Sequence, residues 1–540
     1  MKKILTWLSI ILLSAGISKS QVTQQWVQRF TSDSTRDESV NDMFVDSQGN
    51  VYVTGYQKSL PFPYHASIEA VTIKYNSLGE LQWIQNYHAS ENNGAFGRAV
   101  HVDATGNVYV TGESAIYSGG ANKALIIKYS PSGTQLWSYL FAYSSAYNGG
   151  FDIITDADGN VYVTGEYATN VITYNNIFLV KFSPSGNLIN QTFYNSGSEG
   201  ARKIGMDGSG KIIIGGYLNE DDSTAFIALK YEQNLDFVWA SRWGNGIGNV
   251  NKIDMQIDIN SNVILLGTNS ITIDYSLVKF NPAGFVQWGK NYSSAGGNDI
   301  ASAVDCDNSG NVYVTGTTGS AGFPLTQKIT SIKYLPDGSQ SWIQSFDGGT
   351  VPDGYSGYDI DVDDSTNIYI TGVKHSTSDI VTLKYNQSGN LSWSIIYNGT
   401  GNSIDMGVSA ASDGNGNVYT SGNSLGISSG NDIAVIKYSS TSIGIQNISN
   451  EIPDKIHLYQ NYPNPFNPVT NIRYSITKNS SVNLKVFDIN GRFVSELVNE
   501  NQHAGTYEVT FDGSTLSSGN YFYRLRTDGF VETKKFTLIK

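Results

Sequence analysis

Asp46-Ser47-Gln48-Gly49-Asn50-Val51-Tyr52-Val53-Thr54-Gly55 returns, with small changes, eight times along this chain of 540 residues. The closing glycines are Gly55, Gly112, Gly165, Gly216, Gly267, Gly316, Gly372 and Gly422, spaced 49 to 57 residues apart. An aspartate stands nine residues before each of them: Asp46, Asp103, Asp156, Asp207, Asp258, Asp307, Asp363 and Asp413. After each glycine an alternating stretch ends in lysine plus an aromatic, from Lys74-Tyr75 to Lys437-Tyr438. Nine residues past seven of these lysines lies a slot holding Trp83, Trp137, Asn190, Trp239, Trp288, Trp342 or Trp393. A repeat of this period is one supersecondary unit. Alternation of apolar and polar residues makes it four short strands.

Two connections keep a constant length and two do not. Aspartate to glycine is always nine residues, through a turn in which Gly and Asn tolerate positive φ. Lysine to the tryptophan slot is also always nine. Glycine to lysine ranges from 12 to 19, and the tryptophan slot to the next aspartate from 17 to 21. Successive turns of a meander alternate between its ends, so the constant turns share one face and the variable loops share the other. The spacing predicts an all-β fold, an eight-bladed β-propeller of four-stranded blades over 21–440.

The eighth copy lacks its tryptophan slot, where Gln446 stands instead. Trp26, in Gln25-Trp26-Val27-Gln28, echoes Gln82-Trp83-Ile84-Gln85 and lies 20 residues before Asp46. The N-terminal strand is therefore expected to complete the last blade as its outermost strand, removing an exposed edge. The decamer resembles the bacterial β-propeller repeat, akin to NHL-type propellers; copies four and five keep the pattern but lose its polar lettering. That resemblance implies a fold and no particular activity.

The remaining segments have different character. Lys2-Lys3, the apolar run Ile4–Ile17 and Ser18-Lys19-Ser20 read as a signal peptide over 1–20. Residues 441–454 read as a linker. From 455 to 540, alternating strands and the hairpin turn Asn490-Gly491 predict a small Ig-like β-sandwich. Tyr462-Pro463-Asn464-Pro465-Phe466-Asn467-Pro468, Val486–Arg492, Leu516–Tyr521 and Lys534–Lys540 closely resemble the type A C-terminal sorting domain of type IX secretion substrates. The resemblance implies handling by that machinery, passage by way of the periplasm, and attachment at the cell surface or release.

Composition narrows the function. A formal charge of −13 argues against nucleic acid and anionic membranes, which need basic patches. No stretch after the leader is apolar enough to span a bilayer. The single cysteine, Cys306, excludes an internal disulfide framework. The six histidines show no metal-ligand spacing, and no nucleophile elbow or phosphate loop is present, so no metal, cofactor or catalytic group is expected. The repeated aspartates are expected to cap their own turns. The lysine stems are expected to lie along aromatics, with the ammonium on an acid of the same blade.

Ligand contacts are expected on the variable-loop face near the ring axis, at Arg98, Asp152, Arg202, Lys252, Asp299, Tyr358 and Asp405, overhung by the loops 56–69 and 317–327. The ligand would be an extracellular glycan or protein held by a non-catalytic surface module. The competing reading is a secreted polysaccharide hydrolase or lyase, which would need two carboxylates facing each other across a pocket.

Overall fold

The computed structural model describes residues 22–32, 36–59, 68–89, 93–116, 121–168, 175–220, 223–244, 252–269, 272–294, 297–319, 327–349, 354–427, 430–440, 446–449, 453–502, 504–513 and 516–539. The expected signal peptide lies outside these residues, as do the central parts of the two overhanging loops. All the described regular structure is strand apart from isolated turns. It falls into two compact units, a large one of Gln24–Ser439 and a small one built on the residues from Ser440 onward.

The large unit is an eight-bladed β-propeller. Blade 1 consists of Arg36–Val45, Val51–Ser59, Ile68–Tyr75 and Leu81–Tyr87, hydrogen-bonded in that order from inner to outer strand. Six more four-stranded blades follow. In blade 8 the strands Asp405–Ser412, Asn417–Leu425 and Asn431–Ser440 are completed on the outside by Val22–Phe30. The expected closure therefore holds. Arg29 fixes it from the closing strand, with Nη2 2.7 Å from Asp432 Oδ2 and 3.1 Å from the Ser424 carbonyl. Tyr419, Ile433 and Val435 of blade 8 share a core with Val40, Val51, Val53, Val71, Ile73 and Tyr75 of blade 1.

The inner strands explain the repeated glycine. Seven of them carry a bulge opposite it, as between Val40 and Asp42 or between Gly97 and Ala99. The bulge turns a carbonyl toward the neighbouring strand. A Cβ on Gly55 would stand 1.8 Å from the Ser39 oxygen, and one on Gly112 1.9 Å from that of Phe96. Only glycine fits there.

The small unit is a β-sandwich. One sheet has the order Gln446–Ser449, Gly505–Asp512, Val469–Ile476, His457–Leu458. The other has Phe493–Gln502, Ser480–Phe487, Gly519–Thr527, Phe530–Leu538. Ile472, Tyr474, Val482, Leu484, Val509, Phe511, Tyr523 and Phe536 fill the space between them. Gln446, where the repeat would have placed a tryptophan, pairs with Glu508 in this sandwich.

Candidate functional site

The most regular polar groups in the propeller turn out to be structural. Asp46 Oδ1 accepts the amides of Gln48 and Asn50, while Oδ2 accepts Asn50 Nδ2 and the Tyr52 hydroxyl. The same cap recurs at Asp307 and Asp363. Such bonds hold the carboxyls of Asp103 and Asp307 below the ordinary carboxylate range, against the opposing effect of burial. In blades 4 and 5 the tyrosine is replaced by Ile213 and Ile264. There the lysine takes over, with Lys230 and Lys279 2.6 and 2.7 Å from Asp207 and Asp258. In six other blades the lysine lies over the tyrosine ring instead, about as Lys74 does at 5.0 Å from Tyr52. The expected lysine–acid pair thus forms where no tyrosine hydroxyl competes for the aspartate.

The tryptophans staple blade to blade. Trp83 Nε1 donates to the Pro131 carbonyl of the next blade at 3.1 Å, and Trp137, Trp239, Trp288 and Trp342 repeat the contact. Asn190 reproduces it with its side-chain amide, on Asn234. Trp26 does the same across the closure, on Ser77. The accepting turn presses its glycine on the indole; Gly133, at φ +86°, has no room for a Cβ against Trp83.

The variable-loop side of the axis is different. Thirteen residues before the repeat glycines, at matching depth on the inner strands, stand Asp42, Ala99, Asp152, Lys203, Asp254, Ala303, Asp359 and Ser409, and all but Ala99 and Asp152 line one pocket. Aspartate occupies the odd blades. Each reaches across to the inner strand of the following even blade. Val100 N donates to Asp42, Ile204 N to Asp152, Val304 N to Asp254 and Ala410 N to Asp359, at 2.8–2.9 Å. Lys203 stands among them, Nζ 3.5 Å from Asp254 Oδ1. Asp254 and the other three acids raise its pKa. Partial removal from water raises the carboxyls in turn, Asp42 to about 7 and Asp359 to about 6.

Above this ring opens a pocket of about 410 Å³, whose rim includes Asn41, Lys252, Tyr358, Met406 and Asn423. Lys252 Nζ lies 5.2 Å from the centroid of the Tyr358 ring, bridging blades 5 and 7. Of the seven sequence candidates, Lys252 and Tyr358 line this pocket directly. Asp152 belongs to the axial ring. Arg98 and Arg202 form a stack beside it, with guanidinium carbons 4.4 and 4.5 Å from the two faces of Phe151. Glu113 neutralises Arg98 at 3.0 Å, and Glu166 pairs with Arg202. Asp299 and Asp405 lie at the loop end of their strands, 0 % and 1 % exposed. Asp299 accepts from the Ser294 amide and hydroxyl, and Asp405 from the Gly399 amide and Ser424. These two carboxylates order the incoming loops and do not reach the pocket.

Asp42, Lys203, Asp254 and Asp359 are the members the sequence reading missed. The signal was there, since an aspartate recurs thirteen residues before alternate glycines. The bulge conceals it, because inserting one residue shifts the count of axis-facing positions by one.

Comparison with known proteins agrees with this architecture. Residues 460–540 match the family described as a secretion system C-terminal sorting domain, and residues 25–58 match the β-propeller repeat. An uncharacterised WD repeat-containing protein of Acanthamoeba polyphaga mimivirus is 25% identical over 274 residues, 45% of this chain. The match spans 16% of that protein's length. Similar solved structures include Sqt1 from Chaetomium thermophilum, with TM-score 0.47 and 9% identity over 78% of this chain and 98% of that one. The polysaccharide lyase Uly1 gives TM-score 0.41 and 10% identity over 65% and 93%. The β-propeller domain of the Trilobed protease from Pyrococcus furiosus gives 0.36 and 9% over 67% and 94%. Among the described residues no helix is long and apolar enough to cross a membrane. Residues 25–58 thus carry the β-propeller repeat and residues 460–540 a type IX C-terminal sorting domain, which implies export to the cell surface or beyond.

Proposed function

We propose that this protein is an exported, non-catalytic binding module that takes an extracellular glycan or surface protein in the axial pocket of its variable-loop face. One observation carries the reading. Each carboxylate of the axial ring has an oxygen on a backbone amide of the neighbouring blade, so the acids serve as braces. A glycosidase needs one carboxyl free to give a proton and a second free to attack or to activate water. A rim with an ammonium, an aromatic ring and two side-chain amides suits recognition. The sorting domain would deliver the propeller through the type IX machinery, with the periplasm as an intermediate stop, after removal of a leader over 1–20.

The test combines a glycan array with a turnover screen on extracellular polysaccharides, using the full chain. The reading expects saturable binding without product formation, and loss of binding in Tyr358→Ala. Turnover abolished by Asp42→Asn or Asp359→Asn would make the protein an enzyme and overturn it.

A further inference from the structure

The axial lumen continues below the pocket. Two residues further along the inner strands, Gln256, Asp305 and Asp361 line the same wall beneath Asp254, Ala303 and Asp359. Asp305 Oδ1 accepts from Gln256 Nε2 at 2.7 Å, and its Oδ2 accepts the Val362 amide of blade 7. Asp361 is bonded to Ser412, but its Oδ2 is closed off from bulk water and accepts no hydrogen bond among the described residues. Ser302 Oγ, on the pocket wall, is likewise without a partner.

The charges facing this space from all the surrounding strands are Asp42, Asp152, Asp254, Asp305, Asp359 and Asp361 against Lys203, with Lys252 at the mouth. His101, on blade 2, is held neutral by burial, which lowers its pKa to about 4. The lumen is therefore short of positive charge. Burial and mutual repulsion push Asp305 and Asp361 up as a consequence. An anion entering the lumen would be repelled.

The pocket's size and lining say what kind of cation fits. No three carboxylate or histidine side chains among the described residues are grouped to chelate a metal ion. About 410 Å³ is room for a sugar ring rather than a bare ion. Ser302 Oγ is open to a hydroxyl group, and Asn41, Asn423 and Ser409 keep part of their bonding capacity beside their bonds to Gly97, Val40 and Asp359. The Tyr358 face already seats an ammonium, that of Lys252. We infer that the axial pocket takes a primary ammonium group on a hydroxylated body, an amino sugar of an extracellular polymer. The ammonium is drawn toward Asp359 and Asp361 as Lys252 swings aside. This assignment rests on the axial pocket being the ligand site, as proposed above.

Met406 lines the pocket and supplies the reporter. The full chain, labelled at methionine methyl groups, is titrated with glucosamine tetramer, with its N-acetylated counterpart, with a lysine-containing peptide and with calcium chloride alone. The expected result is a saturable shift of the Met406 methyl resonance by the free-amine tetramer. N-acetylation should weaken it at least about tenfold, as should Asp361→Asn, which removes a charge and leaves the Ser412 bond in place. Asp359→Asn is the second variant should Asp361→Asn fold poorly. Equal binding of the N-acetylated tetramer, or the same shift from calcium alone, overturns the inference. So does a stronger response to the peptide, which would make the partner a protein. If a neutral or acidic oligosaccharide moves Met406 and the tetramer does not, the ammonium assignment fails while the pocket stands. If an array-positive glycan binds without moving Met406, both fall.

Discussion

Trp83 and Trp393 occupy the same slot in blades 1 and 7, yet only Trp83 has a partner for its indole nitrogen. Trp83 finds the Pro131 carbonyl, three residues past Lys128. The corresponding position in blade 8 is Ser440, the last residue of its strand. Trp393 Nε1 is buried with no hydrogen bond among the described residues. An unsatisfied buried donor costs free energy, and a satisfied one contributes about 0.5–1.5 kcal/mol. Trp83→Phe should therefore destabilise the propeller by roughly 1 kcal/mol in urea denaturation, whereas Trp393→Phe should be neutral or stabilising. Equal losses in the two variants would mean that the staple is packing alone. The aspartate caps lend themselves to the same treatment. Asp363→Ala leaves Ser365 N, Asn367 and the Tyr369 hydroxyl without their acceptor, and a loss of roughly 1–3 kcal/mol is expected.

Among the elements, the closing strand and the inner strands decide most. Deleting 22–30 exposes the edge of Asn431–Ser440 and removes Arg29 from Asp432 and Ser424. The truncated propeller should aggregate or melt well below the parent; an unchanged melt would show that three strands suffice for blade 8. The inner strands make stability depend on pH. Asp42, Asp359 and the Asp305–Asp361 pair have raised pKa values in the folded protein, chiefly through burial. Between the ordinary carboxylate range and those raised values the native state binds more protons than the unfolded chain, so stability must fall as pH rises. His101, lowered to about 4, works in the opposite sense, but only below its unfolded value near 6.5. The window from pH 6.5 to 8 isolates the acids. The urea midpoint should drop across it, and Asp361→Asn should flatten the slope; a rising midpoint would contradict the assignment. These inner strands also mark the limit of what the sequence reveals. Blade count, strand order, constant-turn face and closure by Trp26 follow from spacing, because spacing is what a repeat preserves. The site depends on depth along each inner strand, where a one-residue bulge reassigns which side chain meets the axis. Arg98, Asp152, Lys252 and Asp299 accordingly sit at four different levels although all were read as one rim.

Considered whole, the molecule pairs a rigid ring with an address. The sorting domain occupies the last eighty or so residues and contributes nothing to the blade sheets. Removing 455–540 should hold the protein back inside the outer membrane with its propeller folded; surface display that survives the deletion would refute that role. The ring itself offers two faces built on opposite principles. One is made of short capped turns of constant length, the other of loops of unequal length around a charged, aromatic mouth. Ligand is expected to engage the second face at the axis. Hydrogen–deuterium exchange of the full chain, with and without a glycan identified on the array, tests this directly. New protection is expected in 39–43, 355–361 and 405–409, where the inner strands of blades 1, 7 and 8 meet the pocket. Protection confined to the turns 46–50, 103–107 and 130–134 would place the ligand on the opposite face and contradict it.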